Sequence, residues 1–218
     1  MTKLIRLTAA LMFAPVMLSA CATASYNIQE RFGIEKRDIL VDRVEGVSIS
    51  QTEAKEEFEN ALEAFRAVVS VDAGELEDVY DDLNRAHKRA ESDAQDVRTR
   101  VKSVKRVSRD LFREWEGELG QYSDPALRRA SERQLRDTQS RYDILIDKMD
   151  DATASMDPVL AVFNDRVLYL KHNLNARAIA ALDSETANLE SDVARLIAEM
   201  EQSIAAADAF IAEMNGST

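Results

Sequence analysis

Apolar side chains that recur at alternating steps of three and four residues can be buried only as a stripe along one side of a helix. A stripe sustained over many turns commits a chain to long helices lying against one another. Residues 182–214 carry such a stripe without a lapse: Leu182, Thr186, Leu189, Val193, Leu196, Met200, Ser203, Ala207, Phe210 and Met214, with only Thr186 and Ser203 polar. A second runs through Leu76, Tyr80, Leu83, His87, Ala90, Ala94, Val97, Val101, Val104, Ser108, Leu111 and Trp115, and no Pro or Gly interrupts it before Gly117. A helix over 75–119 would be about 68 Å long at the standard rise, far beyond an ordinary globular helix.

The third stripe opens at Asp124-Pro125, where Asp suits the N-cap and Pro the first helical position. It continues through Leu135, Thr138, Tyr142, Leu145, Met149, Ala152, Met156, Leu160, Phe163, Val167, Leu170 and Leu174. Two successive steps of four, at Ala152, Met156 and Leu160, form a stutter that relaxes the supercoil. Pro158 lies inside it and predicts a kink or a break into two helices. The first stripe, Phe58, Leu62, Phe65 and Val69, is shorter; backwards it meets Lys55, Gln51 and Ser48 beside Gly46. Ser50 followed by Glu53 matches a capping box, so a helix is expected over 52–70, with a second short one near 34–45 around Ile34, Val41 and Val44. Turns are expected at Asp72-Ala73-Gly74, over 120–124, and near Asp183-Ser184. Six Gly and three Pro in 218 residues, with 31% charged, fit long helices rather than a sheet with many turns.

Short turns make long helices antiparallel neighbours. If 75–119 folds back on 125 onward, facing positions add to about 245. That register sets Asp110, Glu114, Glu116 and Glu118 against Arg128, Arg129, Arg133 and Arg136, and places Asp78, Asp81 and Asp82 near Arg166 and Lys171. The basic run Arg98, Arg100, Lys102, Lys105, Arg106 and Arg109 then faces Asp137, Asp143 and Asp147. Such flanking charges select partner and orientation more than they stabilise.

Residues 1–20 read as a secretory signal: Lys3 and Arg6 supply a positive start, and the apolar run Leu7 to Leu18 is too short for a bilayer span. Leu18-Ser19-Ala20-Cys21 then resembles the lipobox of bacterial lipoproteins. That resemblance implies cleavage before Cys21 and lipidation of its thiol. Cys21 is the one cysteine, so no internal disulfide can form, and multiple acyl chains would hold the protein firmly. Ala22 rather than Asp implies, by the same resemblance, release to an outer membrane. Residues 22–33 read as a tether reaching at most about 40 Å. Since Lys3 and Arg6 are the only charges before Cys21, residues 21–218 hold 40 acidic and 26 basic side chains, net −14. That balance repels nucleic acid, so none is expected as a partner. The expected organisation is an all-α fold: an elongated antiparallel bundle of three to four long coiled-coil helices over 34–218, after a signal peptide at 1–20 and a lipidated N-terminus and tether at 21–33.

The motifs of several chemistries are missing. A di-iron carboxylate bundle needs Glu-x-x-His, but Asn84 stands three before His87 and Tyr169 three before His172. Two distant His and a lipid-bearing Cys make no tetrahedral zinc site. There is no phosphate loop of the G-x-x-x-x-G-K-[ST] form and no G-x-S-x-G elbow. A non-enzyme without metal or cofactor is therefore expected. Two stretches are less generic. Tyr169, His172, Asn173, Asn175 and Arg177 crowd two turns; they read as a contact site for a partner or ligand, or as buried polar groups that set helix register. The basic run 98–109 reads as a docking patch for an anionic envelope polymer, or as the pairing face just described. Trp115 reads as a seam residue closing the hairpin.

Lys36-Arg37-Asp38-Ile39-Leu40-Val41-Asp42-Arg43-Val44, Gly74-Glu75-Leu76-Glu77-Asp78-Val79-Tyr80, Tyr122-Ser123 with Leu127-Arg128-Arg129, and above all 167–179 (Val-Leu-Tyr-Leu-Lys-His-Asn-Leu-Asn-Ala-Arg-Ala-Ile) together resemble a bacterial family catalogued as domain of unknown function 2959. The resemblance covers nearly all of the chain after Cys21 and implies one whole-chain domain in the cell envelope, with no catalytic residue to carry over. The functional expectation is a periplasm-facing structural or adaptor lipoprotein at the outer membrane. Its partners would be the membrane through Cys21 and an envelope protein, or a second copy through the coiled coil. The competing expectation is a ligand-binding helical module using 169–177.

Overall fold

A computed structural model describes residues 36–70 and 76–216, and residues 37–218 cluster as a unit of their own. The expected signal peptide at 1–20, Cys21, the expected tether and the expected turn at 72–74 lie outside the described residues. Among the described residues, four long helices and one short one follow in order: α1 (Lys36–Ser70), α2 (Leu76–Glu118), α3 (Pro125–His172), α4 (Ala176–Asp183) and α5 (Thr186–Gly216), with a 3₁₀ turn at Leu119–Gln121. Among the described residues there is no strand, and no helix is long and apolar enough to cross a membrane. With 43 and 48 residues, α2 and α3 run about 65 and 72 Å.

The buried stripes are those of the periodic reading. On α5, Leu189, Val193, Leu196, Met200, Ser203, Ala207, Phe210 and Met214 are buried; on α2, Leu83, His87, Ala90, Ala94, Val97, Val101, Val104 and Ser108 are buried with Ala86 and Val107 beside them. As expected, Asp124 caps α3: its carboxylate accepts from the backbone N–H groups of Ala126 at 2.7 Å and Leu127 at 3.4 Å.

Three local expectations are corrected. First, α1 is one helix rather than a short one and a long one. Its seam, Leu40, Val44, Val47, Gln51, Ala54, Phe58, Ala61, Phe65 and Val68, steps without fault through Gly46 and Ser50. Ser50 does not cap; its hydroxyl donates to the Val47 carbonyl at 3.0 Å, as Thr52 does to Ser48 at 3.0 Å, so both are satisfied inside the helix. Gly46 serves a close approach: a Cβ there would lie 3.2 Å from Nη1 of Arg100 on α2.

Second, of the kink or break expected at Pro158, the break does not form: α3 runs through it as one helix. The ring is exposed, so only the outward Ala154 carbonyl loses its donor, and Val159, 2% exposed, carries the seam from Met156 to Phe163. Leu160 is buried as expected, but the seam that runs through Val159 puts the doubled step of four at Val159, Phe163 and Val167, about two turns later than expected. Third, α3 ends at His172 and leaves Leu174 38% exposed, outside the seam.

Cross-links fix the arrangement. Arg89–Glu57 at 2.8 Å ties α2 antiparallel to α1, and Lys55–Glu201 at 3.1 Å and Arg66–Glu190 at 2.6 Å tie α1 antiparallel to α5. Arg141–Glu213 at 2.8 Å, Lys148–Gln202 at 3.2 Å and Arg166–Glu185 tie α3 antiparallel to α5. Lys105–Asp150 at 2.6 Å and Arg98–Asp157 tie α2 to α3. The four long helices thus close a ring of antiparallel neighbours, an up-down-up-down bundle.

The α2–α3 ion pairs add to 255, not 245, although Trp115 and Ser131 at the hairpin add to 246; of the charges expected to pair there, Asp110 is taken by Arg109 and Arg128 by Glu132. Glu116 takes Gln139 instead, at 3.1 Å. Part of the displacement is geometric. Side chains lean toward the N-terminus of their own helix, so on antiparallel helices the tips that meet belong to residues numbered higher than the facing backbones. Residues 120–130 are all exposed.

Candidate functional site

The basic run on α2 is divided rather than gathered. Arg98, Lys102, Lys105 and Arg109 step by four, three and four down one stripe, while Arg100 lies about 140–180° round the helix from them. Arg98 and Lys105 reach Asp157 and Asp150 of α3, Arg100 lies over Gly46 of α1, and Arg109 pairs with its neighbour Asp110 at 3.4 Å. Lys102 and Arg106 are exposed. Three of the six therefore reach a neighbouring helix and Arg109 is paired within its own, so a polymer-binding surface would have Lys102 and Arg106 as its unpaired cations.

At the opposite end, Asn173 and Asn175 are the junction between α3 and α4. The Asn173 amide donates to the Tyr169 carbonyl at 2.9 Å, and its backbone N–H to Leu170 at 3.0 Å. The Asn175 side chain caps α4, accepting from the N–H groups of Arg177 at 3.2 Å and Ala178 at 3.1 Å. Neither amide sets register from inside the core: Asn175 is exposed and Asn173 half-buried. His172 and Arg177 also stand in solvent, beside apolar side chains that the periodic reading did not single out as exposed: Leu168 at 50% and Tyr169 at 41%. The pattern Asn-Leu-Asn before Ala-Arg-Ala held the signal for this junction, because Asn is among the preferred N-caps.

The buried polar groups lie elsewhere, in the seams. His87, Ser108, Thr138, Gln51 and Ser203 are all buried. Both polar atoms of Gln51 and the Ser203 hydroxyl lack a partner. The Lys55–Glu201 bridge lies about one turn from each along the α1–α5 seam, so these orphans occupy one stretch of the core. Near the hairpin, Phe112 and Tyr142 meet edge to face at 5.4 Å, and burial raises the Tyr142 phenol above its ordinary range. Ser131 accepts from the Trp115 indole at 2.8 Å and from the Tyr122 hydroxyl at 3.4 Å, which pins the loop. On the α1–α2 face, burial first, then Glu57, Asp96 and Glu53, raise the Asp93 carboxyl, against the pull of Arg89.

Two grooves are open. One, about 450 Å³, lies between α3 and α5 and is lined by Lys148, Asp151, Ala154, Ser155, Glu199 and Gln202; Ser155 bonds Glu199 across it. The other, about 440 Å³, follows α2 along Lys88, Glu91, Ser92, Gln95, Asp96 and Arg98. Both are charged surface troughs rather than apolar pockets with converging polar groups. Among the described residues no three His, Cys, Asp or Glu gather as metal ligands would.

The family model described as protein of unknown function (DUF2959) matches residues 25–214. Comparison with curated proteins and with solved structures finds no match.

Proposed function

The chain belongs to the family described as protein of unknown function, DUF2959, and on that footing we propose that it is a non-catalytic, periplasm-facing lipoprotein of the bacterial cell envelope. It is anchored through Cys21 in the outer membrane and acts as a structural or adaptor protein through contacts made by its helix faces. The observation that carries this reading is the filled interior. Phe58, Phe65, Leu83, Met149, Met156, Phe163, Leu196 and Met200 are each less than 2% exposed, so the recognition surface is on the outside. The end bearing Leu168, Tyr169, His172 and Arg177 supplies apolar bodies with polar tips, the composition of a protein contact. It lies at the far end of α3 from the start of α1, since α1 and α3 each run antiparallel to α2. A chain held by its N-terminus therefore presents it away from the anchor.

A photocrosslinker at position 172, compared with ones at 105 and 115, tests the contact in cells. An envelope protein captured from 172 and not from 105 is expected; equal capture from all three would mean that the end is no interface. Cys21→Ser should leave the protein unprocessed or mislocalised. If it fractionates like the wild type after signal removal, the lipid is not the anchor.

A further inference from the structure

We propose that Gln51 and Ser203 are a register lock: one matched polar layer that holds α5 at a single position along α1. Both seams keep a strict seven-residue repeat. Val44, Gln51, Phe58 and Phe65 occupy one position of it on α1, and Leu189, Leu196, Ser203 and Phe210 the equivalent position on α5. Ser203 is the one polar member of the buried α5 stripe, and the other buried polar residue of α1, Ser50, bonds its own helix. The long side chains of Lys55–Glu201 and Arg66–Glu190 each add to 256. Gln51 and Ser203 add to 254, and so do the apolar pairs Ala54–Met200, Phe58–Leu196 and Ala61–Val193. Shorter side chains lean less far toward their own N-termini, which accounts for the lower sum. The two polar members therefore fall in one layer, each completely buried and each with polar atoms that no other group satisfies.

A seven-residue repeat cannot by itself fix this match. Sliding α5 by one heptad in either direction again sets apolar residues against apolar residues along the rest of the seam. The flanking charges do not exclude a slide either. At a sum of 263 Lys55 meets Asp208, and at 249 Arg66 meets Asp183; exposed pairs of this kind are worth little in any register. The connection also permits it, because α5 is joined to α3 through the eight-residue α4 and a junction on each side of it. What changes is the polar layer. A slide places Gln51 against Leu196 or Phe210, and Ser203 against Val44 or Phe58. Two polar groups then lie in separate apolar layers with their desolvation uncompensated, whereas in the native register amide and hydroxyl can turn to each other. A single buried polar residue fixes the register of a coiled coil in the same way. The lock accounts for a glutamine whose net effect on stability is unfavourable, since it excludes the alternatives at the expense of stability.

Cross-linking reads the register directly. The full chain carries Cys21→Ser, Lys55→Cys and one further cysteine: Glu201→Cys for the native register, Ala194→Cys or Asp208→Cys for the slipped ones. A short bifunctional thiol reagent then joins whichever pair meets. The parent chain should give the 55–201 product alone. Gln51→Leu/Ser203→Leu should stay helical and melt cooperatively, yet raise the 55–194 or 55–208 product about ten-fold or more, the effect of relieving one uncompensated polar group. Gln51→Asn keeps an amide and should leave the slipped products at the parent's level. Moving the hydroxyl by one heptad, with Leu196→Ser and Ser203→Leu together, should transfer cross-linking from 201 to 194, because Gln51 then finds its partner only in the slipped register. Retention of the 55–201 product alone in both the leucine chain and the transposed chain overturns the proposal. So does slippage in Gln51→Asn equal to that in the leucine chain.

Discussion

Gln51 is the costliest residue in the core, completely buried with both polar atoms unpartnered. A buried amide without hydrogen bonds costs about 1–3 kcal/mol. Gln51→Leu should therefore raise stability by about that much in a denaturant titration, and a loss instead would mean that an ordered water bridges the amide to Ser203. Asp93 gives a pH signature. Its carboxyl is raised in the fold, chiefly by burial and then by Glu57, Asp96 and Glu53, so the folded state holds the proton more tightly than the unfolded one. Stability from this group is present below the unfolded pKa and is lost as pH rises through the raised folded value. Asp93→Asn should remove that decline and stabilise the protein at neutral pH by less than about 1 kcal/mol, the scale of exposed charges. Melting curves between pH 4 and 7 distinguish the two chains.

Among the elements, α1 and α3 show how seams override punctuation. Gly46, Ser50 and Pro158 each argue locally for a boundary, but in each case a turn of helix sacrificed would have exposed buried side chains on both sides. The sequence reading missed the first because Ala54 and Ala61, the small buried members of the α1 seam, look like surface alanines in a pattern of larger residues. If the α3 helix merely tolerates its proline, Pro158→Ala should stabilise by about 1–3 kcal/mol by restoring the Ala154 hydrogen bond. Chemical denaturation measures this directly, and a destabilised variant would show that the proline shapes the helix. At the other junction, Asn175→Ala removes the acceptor for two backbone N–H groups of α4. It should cost about 0.5–2 kcal/mol, visible as earlier amide exchange in α4 than in α5.

At the scale of the whole bundle the decisive quantity is register. A bifunctional thiol reagent should join Lys105→Cys to Asp150→Cys, whose native side chains meet at 2.6 Å, and should fail with Lys105→Cys and Ser140→Cys, the pair that a register of 245 would bring together. The reverse result would refute the packing described here.

The amino-acid sequence alone determined that the chain folds as long helices and, for α2 and α5, which stripe of each is buried, because a three-and-four repeat has one stable reading and one buried side; the passage of α1 through Gly46 and Ser50 and the seam step at Val159 of α3 were settled by packing. The tertiary structure decided how far one helix slides along the next. A seam with this repeat is nearly in step with its neighbour at every half-heptad, so apolar burial hardly distinguishes the alternatives. Side-chain lean, the pairing of flanking charges and the buried polar layer choose among them, and that choice set which arginines were covered and which faced outward.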